Sequence, residues 1–359
     1  MRFIDLFSGI GGFRMGFEKA GFKCILSCEI DPKCREVYFN NFGELPTLDI
    51  KDINPSQIDD FEVLVAGFPC QPFSISGKKY GFEDTRGTLF FEICKIIKAK
   101  QPKVVILENV KYLIYHDNGI TLKTIIGSLR ELGYLVEYSI LNAKDFGVPQ
   151  HRERIIITAT KNRKFGFSRI KSQPTPQLRD FLDQEGEFET LDKSEYTLIK
   201  SPRKQLSSLI FVGYRNKGTW KTGVRPNTEH LSRVHRQPNR IYSVDGVHPT
   251  IPSQETSGRF FIYFPEQDLV RKLTIKECYR LMGFPEEFKR HSNLGESYKQ
   301  IGNSICVPMV ISIAQEIINQ RLLLDDLNNL DYEPENISLQ LTLFNINNYE
   351  PQRKIKEYL

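Results

Sequence analysis

The chain has 359 residues, of which 40% are hydrophobic and 26% charged, and a formal net charge of +5. This balance describes a globular protein long enough to bury a core in two lobes, and it excludes a charge-dominated disordered chain. The opening MRFIDLFSGIGG lacks the charged and then apolar pattern of a secretory signal, and no apolar run reaches membrane length, so a cytoplasmic protein without membrane contact is expected.

In chain order, the first 160 residues alternate short β-rich runs with amphipathic stretches, the pattern of βαβ units around a mostly parallel sheet. Strands are predicted at Arg2 to Phe7, Phe22 to Glu29, Glu62 to Ala66, Lys103 to Glu108, Tyr134 to Leu141 and Arg154 to Thr160. Helices are predicted at Gly12 to Ala20, Pro32 to Phe42, Thr88 to Lys100 and Gly119 to Leu132. From Lys161 to about Val270 this rhythm fails, which predicts an irregular, partly β lobe. Eleven Lys or Arg against three acids between Lys200 and Phe260 concentrate positive charge there. Regularity returns at Thr274, followed by a Gly-Asn-Ser turn and then the packed helix VPMVISIAQEIINQRLLL. The expected organisation is therefore 1–160 as a catalytic and cofactor-binding domain, 161–270 as a second domain, 271–324 as a return to the first, and 325–359 as a polar tail.

Three constellations carry chemistry. Phe7 to Gly12 joins a strand to a helix with small residues, where a ligand can approach the backbone and the helix N-terminus. Glu29 and Asp49 follow later strands, and an acid about 20 residues beyond such a turn accepts hydrogen bonds from ribose hydroxyls. An adenosine-bearing cofactor is implied, whether it carries a hydride or a methyl group. Cys70, between Pro69 and Pro72 just past the strand VLVAG, occupies the rim where open α/β sheets place ligands, a position for a nucleophile. The neighbouring predicted strand ends on Glu108, a carboxyl group able to share a proton with a ring as the thiol attacks it. Arg152 and Arg154, at i and i+2, are predicted to point to one side and to bind phosphate or a polarised carbonyl oxygen. The seven cysteines lack paired zinc spacing: Cys24, Cys28 and Cys34 have no second cluster or His pair, so neither metal nor disulfides are expected.

LFSGIGG, the strand-ending Glu29, GFPCQPFS, GTLFFE, ENV, GVPQHRERI, RKLTIKECYRLMGFP and QIGNSICVP together resemble, in order and spacing, the motif series of bacterial cytosine-C5 DNA methyltransferases of restriction-modification type. The resemblance covers Arg2 to Thr160 and Arg271 to Ile318. It implies a Rossmann-like methyltransferase sheet with a smaller irregular target-recognition domain. It also implies an S-adenosylmethionine site lined by Phe7, Gly9, Gly11, Glu29, Ile30, Asp49 and Ile50, with Phe68 and Leu89 beside it and Asn303 closing it. Cys70 would add to C6 of a flipped cytosine, Glu108 would hold N3 and the exocyclic amine, Arg154 would bind O2, and Arg152 would orient the group. Residues Gln71 to Thr88, including Ser74 and Ser76, would close over double-stranded DNA. Thr250 would sit near the flipped base, with Arg240, Gln254 and Arg259 as candidates for base reading. Arg215, Lys217, Lys221, Arg233 and Arg236 are candidates for phosphate contact. A cognate restriction endonuclease and a monomeric enzyme follow as expectations. Gln340 to Phe344 resembles a sliding-clamp docking peptide; an apolar patch folding back on the enzyme is the competing reading. Rival functions are a transfer-RNA cytosine methyltransferase, a silent DNA-binding module and an NAD-linked oxidoreductase.

Overall fold

A computed structural model describes residues 1–69, 89–216, 227–253 and 261–324. Its first sheet has the order β2-β1-β3-β4-β7-β5. The strands are β1 (Arg2–Leu6), β2 (Lys23–Cys28), β3 (Val63–Gly67), β4 (Val104–Val110), β5 (Leu135–Asn142) and β7 (Glu153–Thr160). The expected parallel sheet is present with one reversal: β1 runs parallel to β2 and β3, β3 runs parallel to β4, and β7 is antiparallel to both β4 and β5. Five strands therefore share one direction, and their carboxyl ends form a common rim.

Alternation along each strand fills both faces. Ile4, Leu6, Leu64, Ala66, Val105 and Leu107 face one core, which takes the buried side of α3 (Leu89–Lys100) and Ile125 and Leu129 of α4 (Ile120–Glu131). Phe3, Val63, Val65, Val104 and Ile106 face another, which takes Phe13 and Phe17 of α1 (Gly12–Lys19). Between β2 and β3 lies α2 (Pro32–Phe42), whose N-cap Asp31 accepts from Lys33 N at 2.9 Å, with proline at the first position.

Asp5 interrupts the apolar pattern. Its carboxyl is fully buried, and burial pushes its pKa up to about 8, with Arg14 opposing the shift. A carboxyl group raised in this way gives full stability below its unfolded value of 3.8 and loses it as pH rises toward 8, because the folded state keeps a proton that the unfolded chain has released. One such proton corresponds to roughly 1.4 kcal/mol per pH unit. Asp5→Asn is expected to remove that slope between pH 4 and 8 in urea unfolding, relative to wild type; parallel wild-type and mutant profiles would rule the linkage out.

The lobe expected to be irregular contains a five-stranded sheet, β13-β12-β10-β9-β8. Its strands are β8 (Tyr196–Lys204), β9 (Ile210–Arg215), β10 (Arg240–Ser243), β12 (Phe261–Phe264) and β13 (Leu269–Lys272). Pro202 lies in β8, an edge strand whose register shifts between Leu198 and Arg203, and so the segment does not read as a strand. The short strands β6 (Gln150–His151) and β11 (His248–Pro249) pair in parallel between the two sheets. A third core joins Phe211, Tyr242, Ile262 and Phe264 of the second sheet to Ile10, Val37, Tyr279 and Ile301.

The end of the described chain corrects the predicted Gly-Asn-Ser turn. Gly302 and Asn303 finish a helix, α6 (Leu294–Asn303), which follows α5 (Ile275–Arg280). The last helix, α7 (Val307–Asn319), stops short of the predicted Leu324: Arg321 adopts a φ of 55°. By length and composition Leu294–Asn319 could span a membrane, but Ser304 to Cys306 divide it into two helices. The inner face of α7, including Val310, Ile313 and Ile317, belongs to the core against α1.

Candidate active site

The glycine turn between β1 and α1 requires its sequence. Phe7, Gly9 and Gly11 have φ values of 58°, 54° and 88°. A Cβ at Gly11 would stand 2.2 Å from Cε2 of Phe42, so glycine is demanded there by both conformation and space. At Gly9 a Cβ would meet nothing within 4 Å among the described residues, so the backbone borders space they leave open. Gly11→Ala is expected to destabilise the fold by about 2–4 kcal/mol, combining left-handed strain and overpacking. Urea unfolding measures this, and a change under about 0.5 kcal/mol would contradict the reading.

Glu29 is tied into that turn. Its Oε2 accepts from Gly9 N at 2.8 Å and its Oε1 from Asp31 N at 2.8 Å, so one carboxylate joins the glycine turn to the start of α2. Burial raises its pKa against these backbone donors. Ile30 beside it is 62% exposed. Asp49 caps the short turn Ile50–Asp52 by accepting from Lys51 N at 3.0 Å, while Ile50 is buried in the core. The far end of the chain closes on the same turn: a Cβ at Gly12 would lie 2.9 Å from Oγ of Ser304, next to the exposed Asn303. An open patch over Gly9, an exposed apolar residue and a buried acid fit a nucleoside-bearing cofactor such as S-adenosylmethionine.

At the same rim, the β3–β4 register places Gly67 opposite Glu108. Glu108 Oε1 meets Arg154 Nε at 2.9 Å, and their side chains are 13% and 11% exposed. Burial raises the Glu108 pKa, with Arg154 and Arg152 opposing the rise. Sequence reasoning gave no role to Asn109. Its Nδ2 donates to Phe68 O at 2.8 Å, fixing the strand exit two residues before Cys70. Phe68 itself packs on Phe90, with ring centroids 5.9 Å apart, and the half-buried Leu89 begins α3. Cys70, Ser74 and Ser76 lie outside the described residues, as do Lys217, Lys221, Gln254, Arg259 and Gln340 to Phe344.

The six described cysteines are free. Burial pushes the thiols of Cys24 and Cys28 up to about 12 and that of Cys306 up to about 11, and it raises Cys34 and Cys94 as well. None of these five is a nucleophile near neutral pH.

Arg152 departs from the paired-guanidinium expectation. Residue 152 lies between β6 and β7, so the strand alternation is broken there. Its fully buried guanidinium donates to three backbone carbonyls instead of facing a ligand: Ile251 O at 3.1 Å, Gly302 O at 2.7 Å and Ser304 O at 2.6 Å.

In the second sheet, Arg240 Nε donates to His235 O at 3.1 Å, and His235 stacks on Tyr214 with centroids 4.2 Å apart. Thr250 Oγ1 donates to His151 O at 2.8 Å, so it sits at the seam between the two sheets. Arg215 lies over the Phe261 ring at 4.9 Å, whereas Arg233 and Arg236 are exposed.

The sheet order and the glycine turn, with an acid beside it, define the class of Rossmann-like α/β folds that bind an adenosine-bearing cofactor at their strand ends. Within that class the chain belongs to the C-5 cytosine-specific DNA methylase family, which matches residues 1–319. It is 38% identical over 330 residues to Type II methyltransferase M.HhaI of Haemophilus parahaemolyticus, covering 88% of this chain and 94% of that protein. It is 41% identical over 308 residues to Type II methyltransferase M.NgoBI of Neisseria gonorrhoeae, covering 86% and 90% respectively. The crystal structure of the S. pombe Dnmt2 methyltransferase shares the fold, with a TM-score of 0.61, 21% identity and coverage of 90% of this chain and 99% of that one.

Proposed function

We propose that this chain methylates C5 of a cytosine flipped out of double-stranded DNA, within a short specific sequence, using S-adenosylmethionine. The observation that carries this is the Glu108–Arg154 pair at the rim, with Glu108 in register with Gly67, which precedes Cys70 by three residues. C5 and C6 of cytosine are inaccessible in a stacked duplex, so the base must enter the pocket at a cost of a few kcal/mol. Cys70, as thiolate, forms a bond to C6. The displaced ring electrons are accommodated as Glu108, whose pKa burial raises, gives a proton to N3, while Arg154 binds O2. C5 then carries enough electron density to form a bond to carbon. S-adenosylmethionine supplies the electrophilic methyl group when bound against Gly9 and Glu29. Loss of the C5 proton to water or another base restores the C5–C6 double bond and expels the Cys70 thiolate, and the N3 proton returns to the Glu108 carboxylate, leaving neutral 5-methylcytosine.

Arg152 orients this group from behind, and Arg240 and Thr250, with Gln254 and Arg259, are the proposed DNA-facing residues. The organisation read from the sequence supports this assignment: 161–270 as target-recognition domain, set between the two parts of a catalytic domain. A restriction endonuclease of the same specificity is the proposed biological counterpart, with the enzyme acting as a cytoplasmic monomer. Transfer of labelled methyl to genomic DNA and to total tRNA, with sequencing of 5-methylcytosine, tests the reading. Label confined to DNA in one repeated sequence supports it; label in tRNA alone, or in neither, overturns it.

A further inference from the structure

Helix α2 carries the two rings that back the glycine turn. A Cβ at Gly11 would stand 2.7 Å from Cζ of Phe42 and 3.2 Å from Cε2 of Tyr38. Yet α2 has little apolar surface with which to hold those rings in place: of its 11 residues only Val37 and Tyr38 are buried, and Phe42 is half-buried. Its outer side is tied to residues 289–299 by surface contacts, among them Lys299 with Asp31 at 3.0 Å, and such pairs are weak. Asn41 adds two hydrogen bonds of 2.8 Å to the backbone of Lys289.

The inner side is held by Arg14 of α1, which is 6% exposed. Its Nε donates to Glu18 Oε1 at 2.8 Å within the same helix, which aims the guanidinium across at α2. Its Nη1 donates to Glu44 Oε2 at 2.7 Å, two residues past the end of α2, and to the Tyr38 hydroxyl at 3.3 Å. The guanidinium lies over the Phe42 ring at 4.8 Å and the Tyr38 ring at 5.5 Å, and the centroids of those two rings are 4.6 Å apart. We propose that Arg14 is a positioning residue for the cofactor, holding the Phe42 and Tyr38 rings against Gly11 and through them fixing the left-handed backbone whose Gly9 N–H meets Glu29. This rests on the S-adenosylmethionine reading above. Arg14 is buried and engaged by protein groups, so it acts through the rings and not on the ligand. Without the guanidinium, Phe42 can turn away from Gly11, the turn samples other conformations, and binding must first select the one that fits. The loss then falls on cofactor affinity, because Glu108 and Arg154 are carried by β4 and β7.

The test is calorimetry of the full chain with S-adenosylhomocysteine, paired with kcat at saturating cofactor. Arg14→Met is expected to raise Kd about tenfold, as when the competent turn falls to about a tenth of the population, with kcat lowered less than about threefold. Phe42→Leu is expected to raise Kd by a similar factor, and the double variant to stay near either single one, since both remove the same contact. An unchanged Kd in Arg14→Met beside a lowered melting temperature would reduce Arg14 to packing and overturn the proposal. Factors that multiply in the double variant would overturn the route through Phe42. If Arg14→Met does not fold, Arg14→Lys keeps the charge but not the flat guanidinium; Kd is expected to rise at least about threefold, and an unchanged Kd there overturns the proposal equally. Wild-type protein that binds no S-adenosylhomocysteine would instead bring down the cofactor reading.

Discussion

Cys70→Ser is expected to lower methyl transfer to DNA by at least about 10⁴-fold while leaving S-adenosylmethionine binding within about threefold of wild type. A serine hydroxyl is almost wholly protonated at neutral pH and cannot add to C6 as a thiolate does. No neighbouring thiol rescues the variant among Cys24, Cys28, Cys34, Cys94 and Cys306, because burial raises each of them. The measurement is single-turnover transfer of labelled methyl, paired with cofactor calorimetry. Substantial surviving transfer would remove covalent attack from the mechanism.

Glu108→Gln is expected to cost about 10²–10⁴-fold in kcat/KM, the usual range for losing a positioned proton donor. The amide preserves shape but has no acidic proton to give to N3. The pH profile separates this from simple loss of binding. In the wild type, burial raises the Glu108 pKa against the pull of Arg154 and Arg152, so the protonated donor persists to higher pH than an ordinary carboxyl group allows. Wild-type kcat/KM should therefore fall as pH rises through that raised value, and the limb should vanish in Glu108→Gln. A variant retaining both the rate and the limb would place the proton donor elsewhere.

Much of the catalytic half was legible because its signals are local. Strands β1, β3 and β4 are near-continuous apolar runs buried on both faces, and each chemically marked residue sits where such a run stops: Phe7, Gly67 and Glu108. Helix α2 begins and ends at the predicted residues, with aspartate at the N-cap and Gly43 in the left-handed conformation at its end.

The misses share the opposite character. Helix α6 was overlooked although Asn293 three residues before Glu296 is a start signal and Leu294, Tyr298 and Ile301 recur at helical spacing, because the Gly302-Asn303-Ser304 sequence at its end reads as a turn. The β character of the second lobe was expected, but its individual strands were not, because β8 is an edge strand containing proline and β10 pairs in parallel with β12 rather than through a hairpin. Arg152 was misjudged because spacing along an extended chain assumes an unbroken strand. Asn109 and Gln150 were visible as residues, but their partners, Phe68 O and Ile251 N, are backbone atoms about 40 and 100 positions away. No composition or period reports such a bond.

The packing of α1 against α7 bears on how the protein is made. Gly16 of α1 lies so close to Val310 of α7 that a Cβ there would be 2.4 Å from Cγ1 of the valine, and Ser304 reaches the glycine turn from the same end of the chain. The glycine turn is therefore backed by residues far along the chain, Ser304 and Val310. A nascent chain that has not yet released residue 310 carries its glycine turn without the helix that backs it, and leaves Phe13 and Phe17 uncovered by α7. A chain cut before Val310 is therefore expected to lose the backing of the glycine turn and the cover of Phe13 and Phe17 together.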